Sequence, residues 1–129
     1  MTDQNYKELV QIYADYAKDG LEILAYPCNQ FHNQEPGSAD DIIEFQAKYG
    51  VTFPVVEKSR VNDDEGKIDT DPAWQFMRDS SAGPAIMGGF DIEWNFHKFL
   101  INSDGQVAFS YNPNRNPLSL RDDIESLLY

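Results

Sequence analysis

The chain has 129 residues, enough for one hydrophobic core, and is read as a single domain over 1–129. Ten basic against 22 acidic residues give a formal charge of −12, which repels nucleic acid and anionic membrane surfaces and describes a solvated acidic exterior. No apolar run of about 18 residues exists to cross a membrane, and one cysteine supplies neither an internal disulfide nor a zinc-ligand set, so a reducing compartment, the cytoplasm, is expected, with an N-terminal targeting extension left open.

Thr2 or Asp3 can cap a helix starting near Gln4, whose apolar face is Tyr6, Leu9, Val10, Tyr13 and Ala17 at helical spacing, with Gly20 as its stop. Residues 21–26, bounded by Gly20 and Pro27, read as a buried strand. Residues 27–37 then place Cys28, Asn29, Gln30, His32, Asn33, Gln34 and Glu35 on a loop between two prolines, a common seat of function. Ser38 with Asp41 opens a second helix with Ile42, Phe45 and Tyr49 facing inward; Gly50 ends it. Pro54 makes residues 51–56 an edge or interrupted strand. Residues 57–71 are charged and aperiodic, a surface loop. Within it Asp63-Asp64-Glu65 is a solvated turn, without the spaced ligands of a calcium loop. Asp71-Pro72 starts a short helix from Ala73 to Arg78, with Trp74 and either Met77 or Phe76 inward. The glycines and proline of residues 79–91 exclude long regular structure. Residues 94–101 and 106–111 flank Asn102-Ser103-Asp104-Gly105 as a hairpin. Asn116-Pro117 opens the last helix, with Leu120, Ile124, Leu127 and Leu128 on one face.

Two segments carry a resemblance. Pro27-Cys28-Asn29-Gln30-Phe31 followed by Asn33-Gln34-Glu35-Pro36-Gly37-Ser38 resembles the central signature of the glutathione peroxidases, and Trp94-Asn95-Phe96-His97-Lys98-Phe99-Leu100 resembles their second signature, WNFxKFL. Weaker similarity runs from about Asn5 to Leu128. The resemblance implies a thioredoxin-like α/β fold, a mixed β-sheet with helices on both faces, and the order of elements above matches most of it. The family's first, central strand is missing. Asn5-Tyr6-Lys7-Glu8-Leu9 matches the segment that follows the family's peroxidatic selenocysteine or cysteine, so that residue is expected just upstream of Met1. The sequence is accordingly expected to be a fragment, for instance through a selenocysteine codon read as a stop. It should fold poorly alone, because each buried ladder group left unpaired costs roughly 1–3 kcal/mol.

By the same resemblance, the side-chain amides of Gln34 and Asn95 and the indole N–H of Trp94 are the donors around the peroxidatic anion. Neutral donors suit that task, since they stabilise a thiolate or selenolate and the departing alkoxide without adding negative charge. On the residues alone, Trp94 is more simply a core tryptophan, and Gln34 and Asn95 loop and strand-end hydrogen-bonding groups; the two complete motifs reverse that preference. Cys28 follows a strand and a proline with no basic neighbour and is read as an inert structural thiol. His32 is read as a solvated loop residue and His97 as outward-facing on its strand; neither has a metal-ligand partner at useful spacing, and no metal or resident cofactor is expected. Gln46 stands in or next to the position where thioredoxin-dependent relatives carry a resolving cysteine, so the expected reductant is glutathione or a similar small thiol, with Lys48, Lys58, Lys98, Arg115 and Arg121 as candidate partners for its carboxylates. The short stretch between Trp74 and Trp94 resembles the compact phospholipid-hydroperoxide type, monomeric when complete, although the acidic charge argues against a lipid substrate. The activity implied is reduction of hydrogen peroxide or organic hydroperoxides, with this chain alone inactive. The alternative is a non-catalytic thioredoxin-fold interaction module.

Overall fold

The structure, a computed structural model, describes residues 2–28, 39–56, 59–62, 70–81, 92 and 95–129. Helix α1 (Thr2–Tyr16) tightens into a 3₁₀ turn at Ala17–Asp19 and is closed by Gly20, whose φ of +112° is the left-handed geometry that a glycine adopts without Cβ strain. Its buried residues are Asn5, Tyr6, Ile12 and Tyr16. The expected stripe is therefore correct at Tyr6, whereas Leu9, Val10, Tyr13 and Ala17 are half-buried. The cause is a wide contact arc: Tyr6 meets the rings of Phe45 and Tyr49, Tyr13 sits edge-on to Phe53, and Ile12 and Tyr16 pack with Leu120 and Ile124.

Helix α2 (Ala39–Ala47) buries Ile42 as expected, but turns Phe45 outward to 40% exposure and buries Gln46, whose Nε2 donates to Tyr6 Oη at 3.3 Å. Helix α3 (Pro72–Ser81) begins at its proline, and Asp71 Oδ1 accepts the Ala73 N–H at 2.9 Å. Trp74 is buried and Met77 half-buried, while Phe76 is 53% exposed, which decides the alternative left open by the sequence. Arg78 is also buried, donating from Nη1 to Val61 O and Thr70 Oγ1.

Strands β1 (Lys98–Ile101) and β2 (Val107–Tyr111) pair antiparallel, Lys98 opposite Tyr111 and Leu100 opposite Phe109, with an irregularity between Leu100 and Ile101. Their turn is built as its residues dictate: Asn102 Oδ1 accepts the N–H groups of Asp104 and Gln106, both at 3.0 Å, and Gly105 takes φ +82°. The segment 21–26 is less regular than a strand. It makes one parallel bridge, Ala25 with Val55, in which Ala25 N–H donates to Pro54 O at 3.0 Å and Val56 N–H to Ala25 O at 2.9 Å. The chain closes with a 3₁₀ turn, Pro117–Leu120, running into helix α4 (Arg121–Leu128).

Two apolar clusters form the core. Ile12, Tyr16, Tyr111, Leu120 and Ile124 make the first, with Leu21, Leu100 and Phe109 against it; Cys28, Val61, Trp74 and Ile92 make the second, with Tyr26, Met77 and Phe99 against it. Leu100 and Phe99 are successive residues of β1 and enter different clusters, as strand pleating requires. The hairpin is thus a layer between α1 with α4 on one face and α3 on the other. Helix α4 is latched down by polar contacts: Tyr16 Oη donates to Glu125, Tyr111 Oη to Asp123 and Arg121 Nη2 to Asp15, each at 2.6 Å.

Candidate active site

The approach to β1 is where the sequence places its second signature. Gln34 and Trp94 lie outside the described residues, so the structure locates Asn95 of the three expected donors. Asn95 and Phe96 form a turn immediately before β1, and both are half-buried. Phe96 has φ +67°, a left-handed conformation that costs a residue with a Cβ and bulky ring of order 1–3 kcal/mol and persists where surrounding contacts impose it. Such contacts are present. Lys98 Nζ donates to Phe96 O at 2.7 Å, and the Phe96 ring stands perpendicular to that of Tyr6 at 5.6 Å. The expected strand over 94–101 therefore starts only at Lys98, because the chain turns sharply at Asn95 and Phe96 first.

Lys98 itself is half-buried, and burial lowers its pKa to about 8, against a smaller upward pull from Glu8. At neutral pH it remains mostly charged. Its neighbour His97 was read as outward-facing; the ring is half-buried instead, tilted on Phe99 at 4.7 Å, with Nε2 at 3.0 Å from Ser110 Oγ. Burial, and after it the charge of Lys98, pushes the imidazole down to about 4, so it is neutral at physiological pH.

Behind this turn lies a cavity of about 1260 Å³, bordered by residues 21–28 on one side and by Asn95 through Ser103 on the other. Of the four described cations considered for the carboxylates of a thiol reductant, Lys98 lines it. Lys48 lies over the Phe45 ring, Arg115 over the Tyr111 ring, and Arg121 is engaged with Asp15 and Tyr16. Lys58 is outside the described residues. Cys28 has a relative exposure of 7% and packs among Val61, Trp74 and Ile92. The residue also stands at the border of the cavity, so its burial limits access to the sulfur without closing it off. Among the described residues, no group of three or more His, Cys, Asp or Glu side chains could hold a metal ion, and no helix is long and apolar enough to cross a membrane.

The glutathione peroxidase family model matches residues 1–78, more than half the chain. The chain belongs to the glutathione peroxidase family. It is 46% identical over 123 residues to the phospholipid hydroperoxide glutathione peroxidase of Pongo pygmaeus, covering 95% of this chain and 60% of that protein. Against the glutathione peroxidase homolog BsaA of Bacillus subtilis the identity is 45% over 123 residues, covering 95% of this chain and 73% of the relative. The crystal structure of Trgpx in apo form superposes with a TM-score of 0.69 at 29% identity, over 96% of this chain and 70% of that one. The architecture is accordingly that of the family, α/β and thioredoxin-like. The chain spans about three fifths of its Pongo relative's length, and about half that of the probable phospholipid hydroperoxide glutathione peroxidase 6 of Arabidopsis thaliana.

The sequence reading named Lys98 only as one of several scattered cations. The Lys98 to Phe96 hydrogen bond shapes the turn that carries Asn95, and its one sequence-level signal was the position of Lys98 inside the second signature.

Proposed function

We propose that this glutathione peroxidase-family chain is the larger part of a peroxidase that reduces hydrogen peroxide or organic hydroperoxides, using glutathione or a similar small thiol. The observation that carries this reading is the burial of Cys28 within the second apolar cluster in a chain that keeps Gln34, Trp94 and Asn95. The donors for a chalcogen anion are present in the sequence, while the chain's one thiol is largely buried among apolar side chains at the cavity's border. The reacting selenolate or thiolate is then supplied from outside residues 1–129, N-terminal to them as the family resemblance implies. In the first half-reaction that anion attacks one peroxide oxygen, a chalcogen–oxygen bond forms as the O–O bond breaks, and the departing alkoxide takes a proton. The Asn95 and Gln34 amides and the Trp94 indole N–H stabilise the negative charge on both sides of that displacement. Two thiols then return the centre to its reduced form, leaving as a disulfide.

Lys98, charged and half-buried on the cavity wall, is the cation we assign to a carboxylate of the thiol. A reducing compartment such as the cytoplasm accords with the single cysteine, and a monomer with the short stretch between Trp74 and Trp94. The test is a peroxide-dependent, NADPH-coupled thiol oxidation assay on the chain extended upstream with selenocysteine or cysteine. Turnover that falls about 100-fold in kcat/KM on Asn95→Ala is expected, the size of losing one oxyanion donor. No turnover in the extended protein would refute the enzyme and leave a non-catalytic module.

A further inference from the structure

The successive residues Ser59 to Asn62 form a strut, each member held by a different part of the chain. Ser59 N–H donates to Pro27 O at 2.7 Å, Arg60 O accepts the Asp71 N–H at 2.8 Å, and Val61 O accepts Arg78 Nη1 of α3 at 3.3 Å. Val61 is buried in the second apolar cluster with Cys28, Trp74 and Ile92. At the tip, Asn62 takes both backbone groups of Ile92 on one amide: Nδ2 donates to Ile92 O and Oδ1 accepts the Ile92 N–H, each at 2.7 Å. A neighbouring β-strand would exchange the same two hydrogen bonds with a residue opposite it. Here a side chain does so. Ile92 is 3% exposed, so water does not readily replace the Asn62 amide at those two groups.

The strut thereby meets the entry to each signature. Pro27 opens the first, which carries Gln34, and Ile92 stands shortly before Trp94, which opens the second. Beyond Trp94 and Asn95, Phe96 is held by Lys98 Nζ on its carbonyl at 2.7 Å and by the Tyr6 ring at 5.6 Å. Residues 93–95 therefore run between two anchored ends, and three residues reach at most about 10 Å. A shift of Ile92 passes along that short tether to Asn95.

We infer that Asn62 is a positioning residue of the peroxidase site, acting through Ile92 to set where Trp94 and Asn95 stand relative to the reacting chalcogen. The inference rests on the function proposed above. Its effect is transmitted rather than direct, since both ends of the amide are on the Ile92 backbone. Alanine at this position removes both hydrogen bonds. An aspartate keeps the acceptor for the Ile92 N–H but sets a carboxylate against Ile92 O.

The test uses the upstream-extended protein with cysteine at the reacting position, hydrogen peroxide and glutathione as substrates, and the pH profile of kcat/KM for peroxide, whose acid limb reports ionisation of the thiol. Asn62→Ala and the isosteric Asn62→Asp should each lower kcat/KM roughly tenfold to a hundredfold, the size of a misplaced catalytic geometry. Both should move the acid limb to higher pH, because a thiolate that loses its donors is harder to form. The Ile92 amide should exchange faster in Asn62→Ala. Asp71→Ala, which loosens the start of α3 but keeps the backbone bond to Arg60, should leave the acid limb in place. An acid limb unmoved in both Asn62 variants, an equal displacement in Asp71→Ala, or Ile92 exchange unchanged by Asn62→Ala would overturn the inference and leave the peroxidase reading intact. Absence of turnover in the unsubstituted extended protein would overturn that reading and the inference with it.

Discussion

Replacing Tyr111 by phenylalanine isolates one of the contacts that fasten α4. The ring is 5% exposed and its hydroxyl donates to Asp123 Oδ2 at 2.6 Å, a short bond to a charged acceptor. Burial first, and the Asp123 hydrogen bond after it, hold the phenol far above its usual ionisation range, so the donor is protonated throughout the accessible pH range. Hydrogen bonds to charged groups contribute about 1.5–3 kcal/mol. Asp123 is half-exposed and regains water when the hydroxyl is removed, which places the loss at the bottom of that range, about 1.5 kcal/mol. The ring remains, so no cavity opens and the stacking of Arg115 on it, at 5.2 Å, survives. That free energy corresponds to about tenfold in an opening equilibrium. Hydrogen exchange reads it directly: the amides of α4 should exchange about tenfold faster in Tyr111→Phe, while those of α3, which packs in the other apolar cluster, keep their rates. The matching control is Tyr129→Phe. Its hydroxyl makes an equally short bond to Asp19, but the residue is 77% exposed, and its removal should change α4 exchange by less than about twofold. Equal effects from the two variants, or acceleration in α3 as large as in α4, would refute the argument that burial rather than bond length sets the contribution.

Asp71→Ala removes the acceptor of the Ala73 N–H at the start of α3 and should cost about 1 kcal/mol, seen as roughly fivefold faster exchange of the first α3 amides, with Asp71→Asn largely restoring the wild-type rates. The His97 ring should titrate near pH 4 by proton NMR. Because the unfolded chain takes up that proton first, near the unperturbed value of 6.5, the His97 contribution to stability is complete above pH 6.5 and is lost as pH falls toward 4. Thermal melting of His97→Gln should lack this part of the acid-side slope. Lys98 works in the same direction in a higher window: stability gains as pH rises from about 8 to 10.5, where the folded chain has released its proton and the unfolded chain has not. In the upstream-extended protein Cys28→Ser should keep most of the peroxidase rate in the coupled assay; complete loss would make Cys28 the nucleophile despite its burial.

What the sequence made legible was local chemistry. Asn102 through Gly105 specify their own turn, because an Asn side chain bonds two amides within four residues and the glycine supplies the left-handed step. Asp71 and Pro72 set the start of α3 for the same reason. The positions that sequence reading missed depend on partners far away in the chain. Gln46 is buried because the Tyr6 hydroxyl, forty residues earlier, accepts its amide proton, and Arg78 because carbonyl and hydroxyl oxygens of Val61 and Thr70 receive its guanidinium. An apolar stripe cannot forecast such sites, since it scores polar residues as solvent-facing. The first apolar face of α1 was misplaced on similar grounds, a helix touched on several sides having no single stripe to find. Asn95 shows how the two kinds of information combine. Taken as a residue, it is a polar group at a strand end; the donor role we propose for it rests on the complete motif around it. The structure then adds what the motif does not contain: a left-handed Phe96, strained unless supported, and the half-buried ammonium of Lys98 bonded to its carbonyl. A cation kept partly out of water beside a strained turn costs stability on both counts. Both stand next to Asn95, the one described residue of the three donors we propose.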